Sequence, residues 1–255
     1  MRVIIKIGTS LIAPGGKLNA SRVRALIDQM DMVKHEYLIV TSGAIACGMS
    51  VLGNHETPAT VTQMQAAAAV GQSHLMRTYE RLFFGKTIVA QLLVSKDDFL
   101  SSARYRNLCN TLEELLKLKV LPIVNENDSV SVRELEGGFG DNDELSALLA
   151  EAVKADWLIL LTDVDGLYRG YGPNGATRLV KRVDQVTPEL EAECNGKSKL
   201  GRGGMSTKLR SARKAAAAGT HVVIANGSHP GVILQALQRR VGTYFPPQKR
   251  QASVK

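Results

Sequence analysis

The chain has 255 residues, 44% of them hydrophobic and 22% charged, with a formal net charge of +8. That composition excludes a disordered or fibrous protein, and the length suits one large domain or two small ones whose core needs neither disulfides nor structural metal. The 32 basic residues are dispersed among 24 acids, with only a short basic tail at Lys249, Arg250 and Lys255, so the positive charge reads as a solvated surface and no nucleic-acid partner is expected.

No window approaches the 18 or so uninterrupted apolar residues of a membrane span, so no membrane association is expected. Met1-Arg2-Val3-Ile4-Ile5-Lys6 carries no secretory core. Cys47, Cys109 and Cys194 are odd in number and far apart, which suits reduced thiols and a cytoplasmic location.

Arg2–Ile7 is apolar and β-branched and runs into Gly8-Thr9-Ser10, a strand followed by a tight turn. Val23, Leu26, Ile27, Met30 and Val33 recur at helical spacing, with Asn19 or Ser21 as the cap. Tyr37–Thr41 is a second buried strand leading into Ser42-Gly43-Ala44, and the alanine-rich stretch Thr60–Phe84 is helical. Thr87–Val94, Tyr105–Leu118 and Val120–Asn125 read as strand, helix and strand. Val130–Glu136, bounded by Gly137-Gly138, suggests a small hairpin. Asp143–Lys154 is a helix, Trp157–Thr162 a buried strand, Pro173-Asn174-Gly175 a loop and Leu179–Val183 a short strand. Gly203-Gly204 opens a helix to Ala218, Thr220–Ala225 is a strand, and Pro230–Arg240 is a helix. Strands as continuous apolar runs, alternating with helices, predict an α/β fold with a mainly parallel sheet covered on both faces.

In such folds ligands bind beyond the carboxyl ends of the strands. The residues there are Lys6, Gly8, Thr9 and Ser10; then Ser42, Gly43 and Ala44; then Asn125-Glu126-Asn127-Asp128; then Thr162-Asp163. The loop Gly201–Lys208 opens a helix. Glycines at strand–helix junctions let backbone N–H groups approach an anion, and two such junctions with two lysines suggest a polyphosphate and a second anion. Plainer roles exist for each: Lys6 projecting from a sheet edge or the sheet end, Gly43 and Gly48 allowing turns or close packing, Asp128 and Asp143 capping helices, Gly203-Gly204 forming a turn. Other standard sites fail. There is no G-x-G-x-x-G, Glu191 stands where a Walker A loop ending at Gly196-Lys197-Ser198 needs its first glycine, Ser42 lacks a G-x-S-x-G frame, and no H-E-x-x-H occurs.

Taken together, Lys6-Ile7-Gly8-Thr9-Ser10, Thr41–Gly48, Asn125-Glu126-Asn127-Asp128, Gly140-Asp141-Asn142-Asp143, Leu161-Thr162-Asp163 and Gly203–Lys208 resemble the amino acid kinase family, in its glutamate-phosphorylating branch. The resemblance is ordered and spans nearly the whole chain. It implies a three-layer αβα sandwich, with 1–255 as a single kinase domain. It also implies ATP-dependent phosphorylation of the γ-carboxylate of L-glutamate, the first step of proline biosynthesis. Many members carry an additional C-terminal PUA domain; the expectation here is a short form without one. Lys6, Asp143 and Lys208 are then the catalytic set, Lys6 on the transferring phosphoryl group, Lys208 on the nucleotide side and Asp143 orienting both ammonium groups. Ser42, Gly43, Asp128, Asp141 and Asn142 match substrate positions, with Asp128 pairing the α-ammonium. Lys6, Gly8, Thr162, Asp163 and the loop Arg202, Gly203, Gly204, Met205, Ser206, Thr207 and Lys208 match nucleotide positions, Gly8 and Gly43 supplying backbone donors. Mg2+ is expected to bridge the phosphates of ATP with no protein ligand isolated, proline to act as feedback inhibitor, and the chain to form a homo-oligomer. Sibling kinases acting on N-acetylglutamate, aspartate, carbamate or UMP are the nearest rivals.

Overall fold

The computed structural model describes residues 1–53, 58, 60–130, 142–169, 178–194 and 204–248. In chain order the elements are β1 (Arg2–Ile7), α1 (Thr9–Ile12), α2 (Ala20–Asp31), β2 (Glu36–Thr41), α3 (Ala44–Val51), α4 (Val61–Phe83), β3 (Val89–Val94), α5 (Asp97–Leu100), α6 (Ser102–Lys117) and β4 (Leu121–Glu126). There follow α7 (Asn142–Ala152), β5 (Trp157–Thr162), β6 (Tyr168–Arg169), β7 (Arg178–Leu179), α8 (Pro188–Glu193), α9 (Met205–Ala217), β8 (His221–Asn226), α10 (Val232–Leu237) and β9 (Thr243–Phe245). Among the described residues, seven strands form one sheet in the order β3-β4-β2-β1-β5-β8-β9. All of its pairings are parallel except β8 with β9.

The apolar runs explain this sheet. Side chains alternate between its faces, and both faces are covered. Ile5, Ile7, Ile39, Ile159 and Val223 pack with α1, α2, α4 and α10. Ile4, Leu38, Leu158, Leu160 and Ile224 pack with α6, α7, α8 and α9. The result is the expected three-layer αβα sandwich. The strand order runs outward in opposite directions from β1, through β2 on one side and β5 on the other. This reversal opens a crevice beyond the carboxyl end of β1, where ligands of open parallel sheets bind.

Helix ends follow local chemistry. Thr60 and Gln63 form a reciprocal capping box that starts α4 one residue after Thr60. Asn19 accepts from the Arg22 N–H to start α2, and Ser101 caps α6. Two expected elements are shorter than predicted. The strand expected over Leu179–Val183 is only Arg178–Leu179 against β6, followed by a single bridge from Arg182 to Tyr244. The helix expected over Pro230–Arg240 is α10 alone, because Gly231 at its N-cap has φ +69° and Arg239 turns left-handed at φ +59°. The short α1, α5, α8 and β9 escape the sequence reading because three to six residues carry too little periodicity. The hairpin expected at Val130–Glu136 lies largely outside the described residues. No described helix is long and apolar enough to cross a membrane.

Candidate active site

β1 is the middle strand, flanked in register so that Lys6 lies opposite Val40 on one side and Leu160 on the other. Lys6 therefore does not project from a sheet edge; it is the next-to-last residue of the central strand, near the sheet end. Its period-2 position puts it on the face of Ile4 and Leu38, under α7 and α9, where it is only 3% exposed. Its Nζ lies 2.7 Å from Asp143 Oδ1, and Lys208 Nζ lies 3.0 Å from Asp143 Oδ2. Asp143 is fully buried and Lys208 nearly so. A strand at the chain's start, the first turn of α7 and the first turn of α9 thus converge on one carboxylate. Asp143 serves two ammonium groups rather than a helix cap. Buried charges persist only when paired, and here two ammonium groups share one carboxylate.

The neighbouring residue of α7 serves a neutral cluster. Asn142 Nδ2 lies 2.9 Å from the Thr41 carbonyl oxygen, 3.0 Å from Ser42 Oγ and 3.0 Å from Asn125 Oδ1. Asn125 Oδ1 also accepts from the Glu126 N–H at 3.0 Å, and Asn125 Nδ2 donates to Gln72 Oε1 at 2.9 Å. Thr41 Oγ1 donates to the Ser42 carbonyl, so the hydroxyl of Tyr79 donates to Thr41 Oγ1 at 2.9 Å. Burial pushes the Tyr79 phenol well above its ordinary range, so it stays a neutral donor.

Glycines hold the loop after β2. Gly43 has φ +92°, and a Cβ there would sit 2.6 Å from Ile12 Cγ2. A Cβ at Gly48 would overlap the Ala67 carbonyl oxygen, and one at Gly71 the Ala44 carbonyl oxygen. The plainer reading of Gly43 and Gly48, turn and close packing, is thus correct. α3 and α4 touch backbone to backbone.

On the other side of β1, the Gly8 N–H donates to the Leu161 carbonyl oxygen at 3.3 Å. The N–H expected to serve as a backbone donor thus has a protein acceptor in this structure. A Cβ at Gly8 would meet protein atoms no closer than 3.4 Å, with Lys6 Nζ at 3.7 Å. The glycine is not demanded by packing; it leaves the space above Lys6 open. Thr162 is buried and its Oγ1 donates to Asp163 Oδ1 at 3.1 Å. Asn226 at the end of β8 donates to the Asp163 carbonyl oxygen at 3.3 Å. α9 begins at Gly204 with no side-chain cap on its first turn, so its N-terminal N–H groups and dipole favour an anion. Thr207 Oγ1 donates to the Gly204 carbonyl oxygen, while Ser206 and Lys208 are buried and Met205 half-buried.

Asp128 is half-buried in the turn Asn127–Val130 that follows β4, closed by a Val130 N–H to Asn127 carbonyl bond of 3.1 Å. Asp141, Arg202 and Gly203 lie outside the described residues. Further along the crevice Asp165 accepts from His229 Nε2 at 2.8 Å, Asn226 Nδ2 at 3.0 Å and the Tyr168 hydroxyl at 3.0 Å. These hydrogen bonds, led by that of His229, hold its carboxyl down at about 2. A cavity of about 250 Å³ lies beside it, lined by Lys181, Asn226 and Gln235 among others.

Sequence reasoning missed the structural part played by Gln72 and Tyr79. The available signal was a glutamine on the buried stripe of α4, with Ala68, Leu75 and Tyr79 at helical spacing. Nothing in its neighbourhood of alanines marked it as chemical. Among the described residues, no group of three or more metal-binding side chains occurs.

The amino acid kinase family matches residues 1–226. A glutamate 5-kinase of Moorella thermoacetica is 45% identical over 98% of this chain and 68% of its own length. A glutamate 5-kinase of Clostridium acetobutylicum is 42% identical over 98% of this chain and 96% of its own length. Among solved structures, isopentenyl phosphate kinase of T. acidophilum is similar with a TM-score of 0.65 at 16% identity, covering 96% of this chain and 100% of that one. At that identity the likeness shows the fold alone.

Proposed function

The chain belongs to the amino acid kinase family, and from that premise we propose that it transfers the γ-phosphoryl group of ATP to the side-chain carboxylate of L-glutamate. The product is L-glutamyl 5-phosphate, the first intermediate of proline biosynthesis. The observation that carries this reading is the buried carboxylate of Asp143 holding two lysines, with the neutral Ser42–Asn142 cluster at the adjacent residue of α7. The glutamate 5-kinases cited above supply the substrate.

The chemistry asks for charge control. A glutamate side chain ionises near pH 4.3, so at neutral pH the nucleophile needs no general base. Its oxygen forms a bond to the γ-phosphorus as the bond from that phosphorus to the β,γ-bridging oxygen breaks, and ADP leaves with the electron pair. Two anions must meet, so catalysis is positioning plus neutralisation. Lys6 reaches the transferring group and Lys208 the nucleotide side. Asp143 aims both. The open space at Gly8, Thr162, Asp163 and the start of α9, Gly204 to Lys208, form the nucleotide side; Arg202 and Gly203 belong to the same loop. Ser42, Gly43, Asn142, Asp141 and Asp128 form the amino-acid side, with Asp128 pairing the α-ammonium. Mg2+ would enter as MgATP, held mainly by phosphate and water, and would neutralise charge on the phosphates.

The same reading makes 1–255 one kinase domain working in the cytoplasm as a homo-oligomer, without nucleic acid, and inhibited by proline at or near the glutamate site. The deciding experiment mixes the chain with MgATP and glutamate and traps the acyl phosphate with hydroxylamine. Hydroxamate formed with glutamate but not with N-acetylglutamate, aspartate or UMP is expected. Equal or better use of N-acetylglutamate would defeat the reading.

A further inference from the structure

We infer that Gln72, on α4 and outside every motif of the site, is a positioning residue for the amino-acid substrate, acting through Asn125 on Asn142. The inference rests on the glutamate reading above and names a further part of that site.

The argument is one of hydrogen-bond polarity. The Thr41 carbonyl can only accept, so the corner of Asn142 that faces it at 2.9 Å must be the NH2 group. That group already faces three acceptors with two hydrogens. Asn142 Oδ1 is therefore turned the other way. It is buried and takes no hydrogen bond from the described residues. A buried acceptor with no donor among the described residues, in the neutral cluster beside Ser42, suits a donor carried by the ligand, and an α-ammonium is such a donor.

What keeps Asn142 in that sense is Asn125, whose Oδ1 takes one of its hydrogens. Asn125 is itself oriented from both ends. The Glu126 backbone N–H, which can only donate, requires Oδ1 on its side. Nδ2 then needs an acceptor in a place that is 1% exposed, and Gln72 Oε1 is that acceptor at 2.9 Å. Gln72 cannot drift away, because the adjacent Gly71 is pressed against the Ala44 carbonyl of α3, directly after the Ser42-Gly43 turn. The α3–α4 contact thereby fixes the amide chain and the substrate loop in one frame. Without an acceptor at position 72, Asn125 carries an unsatisfied buried NH2 and turns to find another partner, and Asn142 loses its fixed sense.

The test is steady-state kinetics of the full chain with the hydroxamate readout, on the wild type and on Q72M, Q72N and Q72E. Q72M keeps the volume without an acceptor, and Q72N withdraws the acceptor by one methylene; either suffices if the other folds poorly. Both should raise KM for glutamate about tenfold, with KM for ATP within about twofold of wild type. Q72E restores an oxygen acceptor, and burial favours its neutral acid form, so its KM for glutamate should return to within about threefold. A merely structural glutamine would shift both KM values together and would not be rescued by Q72E. Wild-type-like glutamate KM in folded Q72M or Q72N, or equal loss in all three variants, would overturn the inference while leaving the functional reading intact. A wild-type chain that does not phosphorylate glutamate would overturn both.

Discussion

The first two residues of α7 face two unlike regions. Asp143 closes a cluster of formal charges, Lys6 and Lys208 at 2.7 and 3.0 Å, while Asn142 closes a cluster of neutral dipoles from Thr41, Ser42, Asn125 and Gln72. Charge stands where the proposed reaction moves charge, since fixed cations there stabilise the transition state without reorganising. Neutral amides stand where a zwitterion would be held and released, since a hydrogen-bonded dipole discriminates by direction at a smaller desolvation cost. The two regions also differ in what supports them: the charged one hangs from strand and helix ends, the neutral one from the backbone contact of α3 with α4.

Substitutions should separate the two regions. The largest effect is expected in the charged one. Lys208→Ala should lower kcat about 10²–10³-fold, or about 3–4 kcal/mol of transition-state stabilisation, with KM for glutamate little changed. Lys6→Ala should behave likewise, whereas Asp143→Ala leaves two buried cations facing each other and should also lower stability by about 3–5 kcal/mol, read by denaturant unfolding. A folded Lys208→Ala variant with normal turnover would remove the distinction altogether.

Next is substrate choice. N-acetylation removes the α-ammonium, so on the proposed pairing Asp128 would stand opposite a neutral amide. Loss of one partner of a buried charge pair costs about 2–5 kcal/mol, so kcat/KM for N-acetylglutamate should fall roughly 30- to 5,000-fold below that for glutamate. Asp128→Ala should raise KM for glutamate far more than KM for ATP; the opposite split would place Asp128 on the wrong side.

A smaller and purely steric effect is expected at Gly71→Ala. The added methyl must part α3 from α4, which costs about 1–3 kcal/mol of stability. The displaced Ser42 loop should raise KM for glutamate while the lysine cluster, on the other face of the sheet, keeps KM for ATP. Equal change in both constants would show that the regions are not independently supported.

The smallest effect concerns the far edge of the sheet. His221 stacks on Trp157 at 4.6 Å and its Nδ1 lies 2.7 Å from the Tyr244 hydroxyl. Burial, then the Arg239 guanidinium, lower its pKa, against a smaller opposing pull from Asp156. A histidine favoured neutral in the fold adds nothing to the pH dependence while both states are neutral. As pH falls through about 6.5 the unfolded chain takes up the proton first, and stability drops. The melting temperature should therefore decline from pH 8 to pH 5.5, less steeply in His221→Asn, with no matching change in KM for either substrate. An unchanged slope in the variant would assign the decline to other groups.

How much of this was legible varies by element. Lys6 stood out because a lysine inside Arg2–Ile7 breaks an apolar run, and Lys208 because it ends a glycine-rich loop. That they share Asp143 was not legible: nothing local marks a contact across 65 and 137 positions. Gly8 was read as a donor because the glycine–strand pattern is the same whether its N–H is open or, as here, bonded to Leu161. Gln72 was invisible because its meaning lies in an amide NH2 group on β4, that of Asn125, which turns toward α4.

By itself the sequence determined the elements that repeat strongly: buried parallel strands as continuous apolar runs, long helices by their periodicity and caps, and the motifs at successive strand ends. These are local properties, written in the spacing of neighbouring side chains. Tertiary structure alone decided that β1 is central, that one carboxylate serves both lysines, and which way each amide points. Those depend on which strands pair and which helices cross over them, and on buried donors finding acceptors far away in the chain. Hydrogen-bond polarity is settled only when every member of a network is in place.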